Sequence, residues 1–86
     1  MKIYTYLAVF EPSRTGYSVY FPDLLGCISC GDTLEQAKEM AKEALELHIS
    51  GMLKDGDIIP EPSKKSTIYP ETEKGYLTNL ITIKLN

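Results

Sequence analysis

Eighty-six residues leave room for one domain with a thin core. Twelve acidic residues against nine basic ones give a net charge of −3, which disfavours binding to a phosphate backbone or an anionic membrane and suits a basic protein partner. No apolar run approaches the roughly 20 residues that span a bilayer, and two cysteines behind an N-terminus without a signal-peptide pattern point to the reducing cytoplasm.

Residues 3–10, Ile-Tyr-Thr-Tyr-Leu-Ala-Val-Phe, are rich in β-branched and aromatic types and predict a strand. Ile3, Thr5, Leu7 and Val9 fall on one face, and Tyr4, Tyr6, Ala8 and Phe10 on the other. Apolar character on both faces predicts a central strand, or one covered by another chain. A turn over residues 11–16 contains Pro12 and Gly16, and residues 17–21 return antiparallel. A second turn, Pro22-Asp23-Leu24-Leu25-Gly26, leads to a short third strand over residues 27–30. Two consecutive leucines in so short a turn are costly to expose, so either one tucks under a helix or both belong to a contact patch.

Thr33, with Gln36 three residues on, predicts a capped helix start. Leu34, Ala37, Ala41, Ala44, Leu45, His48 and Met52 form the apolar stripe of a helix that stops near Lys54, ahead of Asp55-Gly56. Lys38, Glu39, Lys42, Glu43 and Glu46 occupy most of the remaining surface. Residues 59–75 predict a surface loop, and residues 76–85 a closing strand in which Ile81, Ile83 and Leu85 alternate with polar positions. The fold class is therefore α+β: a three-stranded antiparallel meander, one long helix across the sheet and a closing strand, in the order β-β-β-α-β. No second domain is expected within residues 1–86.

No reactive constellation emerges. Cys27-Ile28-Ser29-Cys30 has CxxC spacing, but an antiparallel strand sends the two thiols to opposite faces, and zinc needs four ligands. His48, the single histidine, falls on the core stripe and is expected to be structural. A meander crossed by a helix is similar to RNase H-like nuclease folds, which gather carboxylates around two metal ions. The three predicted strands contain no Asp or Glu, while Asp23 and Asp32 sit in turns and Glu35, Glu39, Glu43 and Glu46 on the helix's solvated side. No metal and no cofactor are expected.

The ordered set of motifs nevertheless resembles the N-terminal domain of HicB-type antitoxins. It comprises Gly16-Tyr17-Ser18-Val19-Tyr20-Phe21, the Pro22-to-Cys27 turn, Gly31-Asp32-Thr33 with Glu35-Gln36-Ala37, and Asp55-Gly56 followed by Ile59-Pro60-Glu61-Pro62-Ser63. The resemblance implies a partial RNase H-like fold without nuclease activity. It also implies a partner, a small basic HicA-type toxin that cleaves mRNA and whose active site the antitoxin obstructs. The family turn usually has Pro where this chain has Leu25. Longer members continue into a helix-turn-helix or ribbon-helix-helix segment that binds operator DNA, and such a segment would begin where this sequence ends, at Asn86. DNA binding is thus expected only with a further C-terminal segment.

An antitoxin that binds and blocks a toxin is the function expected, with Asp23, Leu24, Leu25, Asp32, Glu35 and Glu39 as partner contacts. A vestigial or metal-dependent nuclease and a self-assembling interaction module are the alternatives. A homodimer or tetramer is expected in any case, since the first strand is apolar on both faces.

Overall fold

A computed structural model describes residues 1–62 and 76–86. The chain forms strands β1 (Lys2–Ser13), β2 (Gly16–Tyr20) and β3 (Ile28–Gly31), helix α1 (Leu34–Asp55), and strand β4 (Leu77–Leu85). The strands make one antiparallel sheet in the order β3-β2-β1-β4. β1 is central, as its two apolar faces predict. It also runs three residues further than expected, through Glu11 and Ser13, so one strand does carry a carboxylate.

Register fixes which residues meet the helix. Tyr4 pairs with Ile83, Tyr6 with Ile81 and Phe10 with Val19, and residues directly opposite one another share a face. Together with Ala8, these side chains pack against Ala37, Ala41, Leu45 and Ile49 of α1 in the principal core. Ala37, Ala41 and Leu45 of the expected helix stripe are buried, but its centre also includes Ile49, whereas Ala44, His48 and Met52 are half-buried at its edge. On the opposite face of β1, Leu7 and Val9 are also buried, but outside that cluster. Thr5 and Thr82 share a hydroxyl hydrogen bond of 2.8 Å there, across the β1–β4 pair.

The helix begins where the sequence places it. Thr33 Oγ1 accepts the Gln36 N–H at 3.1 Å, and Gln36 Oε1 accepts the N–H of Asp32 at 2.6 Å, so the reciprocal bond falls one residue before the cap. At the far end the Gly56 N–H donates to Leu53 and Met52 carbonyls and the Asp57 N–H to Met52, closing the helix one residue beyond Lys54. The first turn of α1 lies directly on β3. A Cβ at Gly31 would stand 2.4 Å from the backbone nitrogen of Ala37, so only glycine permits this approach. Most of the loop expected over residues 59–75 lies outside the described residues.

Candidate partner-binding surface

Two consecutive turns connect β2 to β3. The Leu24 N–H donates to the Phe21 carbonyl at 3.0 Å, and the Cys27 N–H to the Leu24 carbonyl at 3.1 Å. Gly26 has φ +84° and, among the described residues, no non-glycine residue has positive φ, which makes residues 24–27 a type II turn with Leu25 at its second position. The two leucines therefore separate. Leu24 is 2% exposed and anchors the loop in the core, whereas Leu25 is 98% exposed. Leu24 thus offers no exposed surface to a partner in this conformation, and Leu25 is the leucine that does.

The remaining expected contacts fall into two groups. Asp23, half-buried in the first turn, lies near the buried Tyr6 hydroxyl, which donates to the Pro60 carbonyl. Burial, followed by the charges of Asp23 and Glu61, raises the Tyr6 pKa above its ordinary value. Asp32, Glu35 and Glu39 are exposed at the other end, around the start of α1. Leu25 instead sits beside the later part of the helix: Gly26, Cys27 and Ile28 form one groove with Ala44, Leu47 and His48, and a second groove with Leu25 and Pro22. Twelve residues of helix separate Glu35 from Leu47, about 18 Å at 1.5 Å per residue. The expected residues do not converge on one spot.

Sequence reasoning missed that, besides Leu25, several of the large apolar residues on α1 and β3 are exposed. Leu47 and Ile28 are each 70% exposed, and Met40 is also exposed. Met40 and Leu47 are seven residues apart, so they lie on one line of the helix. That spacing was legible but lay hidden among the charged residues.

Cys27 is buried, its thiol lies 3.8 Å from the Ala44 carbonyl, and burial pushes its pKa up to about 11, the reverse of what a reactive thiolate needs. Cys30 is exposed and, like Cys27, unbridged, in keeping with opposite faces. Among the described residues no three His, Cys, Asp or Glu side chains are grouped to hold a metal ion, and no helix is long and apolar enough to cross a membrane.

The family model for HicB-like antitoxins of bacterial toxin–antitoxin systems matches residues 6–86. The chain belongs to the HicB-like antitoxin family. It is 38% identical over 82 residues to an uncharacterised 14.9 kDa protein of Haemophilus phage HP1, a match that spans 93% of this chain and 61% of that protein. It is 38% identical over 66 residues to antitoxin HicB 2 of Photorhabdus laumondii, spanning 77% and 48% respectively. The chain thus covers half to three-fifths of the length of these relatives. A solved HicA3–HicB3 toxin–antitoxin complex contains a chain that superposes with a TM-score of 0.74 at 25% identity, covering 90% of this chain and 94% of that one. The β-β-β-α-β architecture expected for a HicB-like domain is the one observed. The departure at Leu25 has a structural explanation: the second position of a type II turn favours Pro but accepts other residues, and the bond from Cys27 to Leu24 closes the turn without it.

Proposed function

We propose that this chain is the antitoxin of a type II toxin–antitoxin pair and that it acts by steric cover. It binds a small basic HicA-type toxin and denies mRNA access to the toxin's catalytic surface. The observation that carries the reading is the match of 81 of 86 residues, 6–86, to the HicB-like family model, supported by the likeness to the HicB3 fold found with HicA3. On this reading residues 1–86 are a single non-enzymatic domain. It works in the cytoplasm, self-associates, and reaches operator DNA only through a C-terminal segment beyond these residues. Encounter is accelerated by opposite net charges, and lifetime is set by buried apolar contacts. Asp23, Leu25, Asp32, Glu35 and Glu39 remain proposed contributors, the acidic ones to encounter and Leu25 to lifetime.

The test is co-expression with its cognate small basic HicA-type toxin. The antitoxin should restore growth and co-purify with that protein. Growth arrest that persists despite folded antitoxin would sink the proposal. So would cleavage of RNA by the purified chain in Mg²⁺.

A further inference from the structure

We infer that the toxin docks on one defined surface of this chain: the apolar line Met40–Leu47–Gly51 of α1, continued by Ile28 and Leu25 and bordered by a carboxylate ridge. The inference rests on the antitoxin reading and names the surface that reading leaves open.

Three observations converge. The first is exposure without looseness. Leu25, Ile28 and Leu47 project into solvent from a hydrogen-bonded turn, a strand and a helix, and the two grooves they border share Gly26, Cys27 and Ile28, so the apolar surface is continuous. The second is Gly51. Glycine within a helix costs about 1 kcal/mol relative to alanine, yet a Cβ at residue 51 would meet nothing within 4 Å. No contact within the described residues calls for glycine there. It lies four residues beyond Leu47, on the same line, where a missing side chain lets another chain approach the helix backbone.

The third observation selects the occupant. Glu39, Glu43 and Glu46, spaced by four and three residues, form a ridge parallel to the apolar line. A second copy docked two-fold with its helix antiparallel on this surface would bring one such ridge against another, and like charges oppose that contact. A protein with an apolar centre and a Lys/Arg rim fits instead.

The experiment measures binding of the intact chain to its cognate small basic HicA-type toxin, with circular dichroism to verify folding. Leu47→Asp should weaken binding about 30-fold, as expected at the centre of an interface. Gly51→Ala should weaken it about tenfold, the scale of an overpacked contact, while raising the melting temperature, a combination that general damage does not produce. Glu43→Lys should slow association at low salt and less so at high salt. If wild type binds and all three variants bind equally well, the toxin uses another face; the inference then fails while the antitoxin reading stands. If wild type does not bind, both fail. A wild-type dimer that Leu47→Asp splits, with toxin binding unchanged, would identify the occupant as a second copy and overturn the inference.

Discussion

Gly31→Ala tests the closest approach in the fold. The added methyl would lie 2.4 Å from the nitrogen of Ala37, 2.6 Å from its Cα and 2.9 Å from the carbonyl carbon of Gln36. All three are backbone atoms of the first helical turn, so no flexible side-chain end can swing aside. That turn is also held at Thr33, whose carbonyl accepts the Ala37 N–H at 2.8 Å and whose hydroxyl accepts the Gln36 N–H. Relief therefore requires α1 to retreat by about 1 Å, opening the contacts of Ala37 and Ala41 with the sheet. Overpacking of this kind costs about 1–3 kcal/mol, and a clash against fixed backbone belongs at the upper end. A domain of this size has roughly 4–13 kcal/mol in total, and each kcal/mol moves its melting temperature by about 4–8 °C. Gly31→Ala should thus melt roughly 12–24 °C below wild type. The same chemical change at Gly51, where the methyl meets open space, should raise stability by up to about 1 kcal/mol. Thermal melts and urea titrations, both followed by circular dichroism, measure the two changes. A Gly31→Ala protein that melts within about 2 °C of wild type would refute the close approach.

Leu24→Ala should cost about 2–5 kcal/mol in the same titration, whereas Leu25→Ala should stay within about 0.5 kcal/mol of wild type. Removing the helix cap by Thr33→Ala should cost about 1 kcal/mol. Near neutral pH, iodoacetamide followed by mass spectrometry should label Cys30 in the native protein and Cys27 only on unfolding. The folded state holds the Cys27 proton more tightly than the unfolded state does, so its contribution to stability is complete below pH 9.0 and is lost as pH rises toward about 11. Burial raises the Tyr6 pKa in the same direction, so Cys27→Ala should flatten part of the alkaline loss of stability and leave a remainder.

The strand faces, the helix caps and the element order were legible because each rests on local rules: alternation, Thr33 with Gln36, and Gly56 after the last turn. The helix stripe was legible at Ala37, Ala41 and Leu45 but missed Ile49, because alanines and His48 fit either face and only packing in the core selects Ile49 over Ala44. The site was less legible than the fold. Asp32 and Glu35 precede and open the helix, while Leu25 meets its later half, and no spacing in the sequence reveals that α1 returns along β3 to reach residue 27. Nor could composition decide which of Leu24 and Leu25 turns inward.

That last choice connects stability to the proposed binding. Leu24 shares its carbonyl with the turn that holds Leu25 and its side chain with the core that holds the sheet to α1. Burial of one leucine thereby fixes the outward position of the next. A preset anchor loses little conformational freedom when a partner covers it, so more of its apolar contact survives as affinity. The outward position of Leu25 thus depends on its neighbour. A loosened core should weaken toxin binding even where every surface residue is intact, and Leu24→Ala should reduce affinity under conditions in which the variant is still fully folded. If that variant binds like wild type while Leu25→Asp does not, the apolar contact is real and its presetting is not.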